Sequence, residues 1–306
     1  LAPGVTKDVT LVDCVIQGNI RNYGTGEVRF EAPQITPEST ATKPSEVYKP
    51  GATLDRTLEY GGKTVPIYRD RPLNVFSDVD FIWTGEENEN QRRLEYLGGE
   101  FRTRYGIDVS SFQGEIDWDA VADDNIDFAM VRVGFRGTGT GSLNTDKYYE
   151  QNIRGAMRAG LETGVYFFAQ AVTVEEAIEE ADYVISLLDG LDINGPVAYD
   201  WEMHDSTYRV YGTSPEMATA CAVAFCQRIK DAGYTPMVYG GTYVTYMKYD
   251  QGALADYLSW YPEYKSEKSE KLCPTLVYHM DYWQFSSSCT VDGIGGRVDG
   301  NIQFIP

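Results

Sequence analysis

The chain has 306 residues, of which 46 are Asp or Glu and 26 are Lys or Arg, giving a formal charge of -20 at neutral pH. A field of that sign repels polyanions, which argues against nucleic acid as a partner. Hydrophobic residues make up 42% of the chain, and no window approaches the ~18–20 consecutive apolar residues of a membrane helix, so a globular fold with a large core and no membrane span is expected.

Residues 1–31 contain short β-like runs, DVTLVDCVIQG and GEVRFEA, followed by PQITPESTATKPSEVYKPG, whose Pro, Ser and Thr content reads as an extended connector. TLEYGGKTVPIYRD predicts a hairpin turning at Gly61–Gly62, and LNVFSDVDFIW predicts a further strand. Residues 1–104 are therefore read as a small, mainly β accessory region.

From Tyr105 short apolar runs alternate with amphipathic segments, the pattern of βα units. Eight strands are expected, in YGIDVS, FAMVRVGF, TGVYFFAQ, PVAYDWE, TPMVYGG, YLSWYP, YHMDYWQFS and RVDGNIQFI. Over 173–189 apolar residues recur at a three/four spacing from Val174 to Leu188, with Glu175, Glu176, Glu179, Glu180 and Asp182 largely outside the stripe. Thr173 with Glu176 resembles a capping box. A second helix opens at Ser214-Pro215-Glu216 and ends near Gly233. The last three strands have short, irregular connections. The fold class is therefore α/β, an irregular (β/α)8-type, TIM-like barrel over 105–306 with weak helices in its last units.

The five cysteines are Cys14, Cys221, Cys226, Cys273 and Cys289. Cys221 and Cys226 fall on different sides of a helix and should not bond to each other, whereas Cys273 and Cys289 flank a strand and could pair. The chain begins at Leu1 without a basic n-region or apolar h-region. Loss of a signal peptide, and with it an extracellular or cell-wall location, is the expectation.

In a parallel barrel the working face lies at the C-terminal ends of the strands. Four acids fall there: Asp108 on the first strand, Asp200 and Glu202 on the fourth, and Asp299 on the last, which neighbours the first once the barrel closes. Asp200 and Glu202 flank Trp201, so they share a face with Cβ atoms about 6.6 Å apart. Two like charges on one face raise each other's proton affinity without structural gain, whereas any single buried acid is as well explained as a hydrogen-bond acceptor. Paired carboxyls of unequal proton affinity suit glycosidic cleavage. Glu202, longer and nearer the mouth, is the candidate acid, with Asp200 ionised behind it. The spacing lies between the retaining and inverting ranges and selects neither outcome.

These motifs resemble the glycoside hydrolase family 25 lysozymes, the Chalaropsis-type muramidases. GIDVSSFQGEIDW, FAMVRVGF, GVYFFAQA, PVAYDWE, YWQFSS and GRVDGN carry the resemblance, in the order and spacing of that family, from about Tyr105 to Pro306. It implies cleavage of the β-1,4 bond between N-acetylmuramic acid and N-acetylglucosamine in bacterial peptidoglycan. It also implies Glu202 as proton donor, Asp200 beside the substrate's 2-acetamido group, and Asp108 and Asp299 as the remaining acids of the pocket. Where many relatives carry His after the Tyr of the third strand, this chain has Phe167. A chitinase-like hydrolase lacks support because no D-x-x-D-x-D-x-E run is present. A silent glycan-binding module is disfavoured by retention of all four acids.

Tyr166, Tyr239 and Trp283 lie near predicted strand ends and are the sugar-contact candidates, with core packing as the alternative for each. Trp118 and Trp201 are expected to pack under helices. His204 and His279 are too isolated to suggest a metal site. The Gly-rich GFRGTGTGS lacks the phosphate-loop Lys, so no cofactor is expected. A monomer is the expected state.

Overall fold

The structure, a computed structural model, describes residues 9–12, 28–31, 41–84, 93–266 and 268–306, the first two segments as backbone alone. The chain divides into two compact units, 1–41 and 42–306. In the first, β1 (Val9–Val12) and β2 (Val28–Glu31) pair in parallel. The expected connector lies partly outside the described residues. Its described end contains one helical turn, α1 (Pro44–Val47), begun by a proline that needs no hydrogen-bonded N–H there.

The expected hairpin is β3 (Leu54–Tyr60) and β4 (Lys63–Tyr68). Gly61 and Gly62 both have positive φ, 58° and 74°, a two-residue turn that matches the twist of its strands and is strained for other residues. A second hairpin joins β5 (Phe81–Thr84) to β6 (Arg93–Tyr96). Both hairpins belong to the same compact unit as the barrel, although the sequence placed a division after residue 104.

The eight expected strands close into a barrel. They are β7 (Arg102–Val109), β8 (Phe128–Arg136, with the short antiparallel β9, Leu143–Thr145, on its edge), β10 (Glu162–Ala169), β11 (Val197–Trp201), β12 (Pro236–Tyr239), β13 (Leu258–Pro262), β14 (Tyr282–Cys289) and β15 (Val298–Ile305). Pairing is parallel from β7 round to β14, while β15 runs antiparallel to both its neighbours. That reversal matters for the site. Asp299 stands at the start of its strand, and only an antiparallel strand brings its start to the mouth where the other strands end; there it pairs in register with Asp108.

Helices cover half of the barrel. They are α2 (Trp118–Asp123), α3 (Tyr149–Arg158), α4 (Val174–Leu187), α5 (Pro215–Asp231) and the short α6 (Thr242–Met247). Ser214 caps α5, its hydroxyl accepting from Met217 N. Thr173 caps α4 by accepting from Glu176 N. Glu176 departs from the expected box: its carboxylate accepts from Val172 N and from both arms of Arg209. Glu180 also departs from the exposed face assigned to it. It is fully buried, accepting from Arg136 Nε at 2.7 Å and Gln170 N at 3.0 Å, because α4 must supply a counter-charge to the buried Arg136.

Over β13, β14 and β15 the apolar cover comes, among the described residues, mainly from the two hairpins, with Tyr246 of the short α6 beside them. Val65, Ile67, Phe81 and Leu94 form one buried cluster with Tyr261, Trp283, Phe285, Ile302 and Phe304. The intervening segment is clamped by Arg71, which donates to the carbonyls of Leu254 and Tyr257, and by Asn74, which donates to those of Pro274 and Leu276. Cys221, Cys226, Cys273 and Cys289 are all free, so the pairing considered for Cys273 and Cys289 does not form. Among the described residues no helix is long and apolar enough to cross a membrane.

Phe81 packs edge-on against Trp283 at 5.3 Å and against Phe76 and Tyr96. Phe81→Ala is expected to cost about 3–5 kcal/mol in urea denaturation. The variant should still unfold in one transition, with barrel and hairpin signals coincident, since the hairpins complete the barrel's core.

Candidate active site

Alternation along the strands decides which side chains enter the mouth. Phe128, Met130, Ala198, Met237, Tyr239, Trp260 and Tyr282 fill the barrel interior. Above them a cavity of about 210 Å³ is lined by Asp108, Asp200, Glu202 and Asp299 together with Arg132, Tyr166 and Tyr239. A second cavity of about 450 Å³ shares Glu202, Tyr239 and Tyr264 with the first and continues past Met203 to α6. The four acids expected from sequence thus line one groove. Trp118 and Trp201 are buried in the outer core, the indole N–H of Trp201 donating to Ala171 O at 3.0 Å.

Asp108 and Asp200 are almost fully buried. Asp108 Oδ2 accepts from Asn301 Nδ2 at 2.7 Å and Gln284 Nε2 at 2.8 Å. Each amide is itself fixed: Asn301 Oδ1 accepts from Trp260 Nε1, and Gln284 Oε1 accepts from the hydroxyls of Tyr239 and Tyr264. Despite these donors, burial and the neighbouring Asp299 hold the Asp108 carboxyl well above the usual range. Asp299 is also raised, first by burial.

On β11, burial raises Asp200 well above its ordinary 3.8, and the charge of Glu202 adds to the effect. The sequence reading assigned the charge to Asp200. Burial instead favours the protonated form of that carboxyl. Asp200 Oδ1 is buried, and no donor among the described residues reaches it. The backbone at Glu202 is fixed by Gln170, whose Nε2 donates to its carbonyl at 2.7 Å. Glu202 Oε2 bonds to His204 Nε2 at 2.5 Å.

Tyr166 and Tyr239 line the groove and stand edge-on to Trp260. Trp283 does not, and its assignment as a sugar contact is corrected. On β14 the inward positions are Tyr282 and Gln284, so Trp283 turns outward into the hairpin cluster and donates to Glu263 O. Trp260 on β13 supplies the groove's indole. Phe167 likewise points into the helix layer, against Tyr183.

Several groove residues escaped the sequence reading. Arg132 was legible in principle, two positions beyond the inward Met130. It is the cation of this groove, held by Asp146 at 2.8 Å and lying 5.0 Å over the ring of the exposed Phe112. Gln284, Asn301 and Tyr264 gave no signal, because their partners are distant in sequence. His204, too isolated in sequence to suggest a metal site, reaches Glu202 from the chain that follows β11. Among the described residues no group of His, Cys, Asp or Glu is placed to hold a metal ion.

The profile of Glycosyl hydrolases family 25 matches residues 107–294. The chain is 26% identical over 195 residues to the autolytic lysozyme of Clostridium acetobutylicum, covering 63% of this chain and 54% of that protein. It is 27% identical over 201 residues to Lysozyme M1 of Streptomyces globisporus, covering 64% and 66%. In fold it is similar to the spore cortex lytic enzyme SleM of Clostridium perfringens, with a TM-score of 0.56 at 23% identity over 67% of each chain. The autolysin LytC of Streptococcus pneumoniae gives a TM-score of 0.56 at 24% identity, over 80% of this chain and 57% of that one. With the profile spanning the barrel from Ile107 on β7 to Ile294, just before β15, the chain belongs to glycosyl hydrolases family 25.

Proposed function

We propose that this chain is a peptidoglycan hydrolase of the muramidase type, cleaving the β-1,4 bond between N-acetylmuramic acid and N-acetylglucosamine outside the cell. The observation that carries this reading is the Asp200–Glu202 pair. One carboxyl is almost fully buried where it lines the groove, with an acceptor unmet among the described residues, and its partner stands at the junction of two cavities. The two cavities are suited to sugar units on either side of the scissile bond. The exposed rings of Phe112, Tyr243 and Tyr264 offer stacking faces.

The pair's proton starts on Asp200, where burial favours the protonated form. A 2-acetamido N–H bound to Asp200 Oδ1 stabilises the ionised form of that carboxyl and offsets its burial. The proton then passes to Glu202, which delivers it to the glycosidic oxygen as the bond breaks. Water then adds to the anomeric carbon and gives its proton to the ionised Glu202, and as the product leaves that proton returns to Asp200, restoring the pair. Arg132 favours the charge on Asp200. In this scheme the substrate itself sets the proton on the acid that uses it.

Glu202→Gln is expected to lower the rate of cell-wall clearing by about 10²–10⁴-fold, and mass spectrometry of wild-type digests should show muramic acid at the new reducing ends. Clearing unchanged in the variant, or glucosamine at those ends, contradicts the assignment. Asp200→Asn should slow clearing while raising the melting temperature. Because the folded-state affinity of Asp200 for its proton lies above 3.8, the fold is penalised only as pH rises past that value. The thermal gain should therefore be near zero at pH 3 and a few degrees at pH 7.

A further inference from the structure

Outside the groove, a cavity of about 350 Å³ lies where β4 and the chain after α1 meet α5 and α6. Its charges are unusual for so acidic a protein. Lys248, which lines it, is nine-tenths buried; its ammonium donates to Thr213 O at 2.6 Å and has no carboxylate partner among the described residues. Lys63, on β4, faces the same space, also without an ion pair among the described residues. Burial, and after it the charge of Lys63, weaken Lys248's hold on its proton. A buried ammonium without a counter-charge is costly, and a bound carboxylate removes that cost. The acids nearby do not fill the role. Asp250 is engaged by the backbone N–H groups of Gly51, Gly252 and Ala253, and Glu216 is exposed in the first turn of α5. Tyr48 and Tyr68 supply aromatic walls.

The position of this cavity suggests its ligand. Thr242, Tyr243 and Val244 of α6 line the groove beside Glu202, and Thr245, Tyr246 and Met247 of the same helix line this cavity. Six helical residues span about 9 Å, and an extended tetrapeptide reaches about 13 Å. Resting on the muramidase reading, we propose that this cavity binds the peptide stem of the muramic acid held beside Glu202. The stem's free terminal carboxylate meets Lys248 and Lys63, and any amino group it carries faces Glu216. The chain would thereby prefer walls whose stems end in a free carboxylate over those in which that terminus is bound in an amide.

Calorimetry on the full chain with a synthetic alanyl-glutamyl-lysyl-alanine stem peptide tests this directly. The free acid should bind, and its terminal amide should bind at least fivefold more weakly. Lys248→Met and the solvent-exposed Lys63→Ser should each weaken the acid at least fivefold, with circular dichroism confirming the fold. Glu202→Gln should bind the peptide as the wild type does, whether or not it clears walls, so that a failure of catalysis and a failure of this site are read separately. Absence of binding, equal affinity for acid and amide, affinity unmoved by both lysine changes, or loss of binding in Glu202→Gln would each overturn the proposal.

Discussion

The site depends on the cost of holding ionised carboxylates in a wall that water does not reach. Asp108 and Asp200 are buried at the ends of β7 and β11, above a barrel interior filled by apolar and aromatic side chains. Left alone such groups neutralise, and both are shifted that way. The structure handles the two differently. Asp108 is met by two side-chain amides, each locked by an aromatic donor. Asp200 has one oxygen that no donor among the described residues reaches. The first arrangement is complete in itself, and the second is complete only with a ligand, which is why Asp200 rather than Asp108 is given the substrate-responsive role.

That difference requires a rigid frame, and the barrel achieves it asymmetrically. On the β8–β12 side, α3, α4 and α5 cover the strands; the Arg136–Glu180 pair ties α4 to the end of β8, and the Arg209–Glu176 pair ties it to the loop after β11. Arg209 also donates to Gln170 O, and Gln170 donates to Glu202 O, so the acid's backbone is held through a chain of bonds beginning on a helix. On the β13–β15 side the hairpins supply the apolar cover. The accessory residues from 54 to 96 are thus structural partners of the strands carrying Gln284, Asp299 and Asn301.

Much of this was legible in the sequence because it is written in local periodicity. The eight strands, α4, α5, the Gly61–Gly62 turn and the convergence of four acids all follow from alternation, capping and barrel topology. What was missed depended on parity or on distant partners. Trp283 was assigned to the groove because proximity to a strand end does not say which face a residue takes, and its outward parity is set by Gln284 turning inward. Glu180 read as one more surface acid, since the helical stripe does not reveal that Arg136 lies beneath it. Gln284 and Asn301 are ordinary amides until the fold brings them to a carboxylate 176 and 193 residues away. The coverage of β13–β15 by the hairpins was likewise invisible, because each hairpin's apolar face has no counterpart nearby in sequence.

In the proposed reaction Asp200 holds its proton more tightly than an ordinary carboxyl and yields it when an acetamido group arrives. Carbon-13 NMR titration of the Asp200 carboxyl in Glu202→Gln and wild-type protein, free and with an unhydrolysed N-acetylglucosamine oligomer, measures this directly. In the free wild type, Asp200 should titrate above the ordinary 3.8; loss of the Glu202 charge should lower that value, and the N-acetylated ligand should lower it further, whereas a glucose oligomer should not. An Asp200 that titrates at or below 3.8 in the free wild-type protein, or that responds equally to both oligomers, contradicts the account.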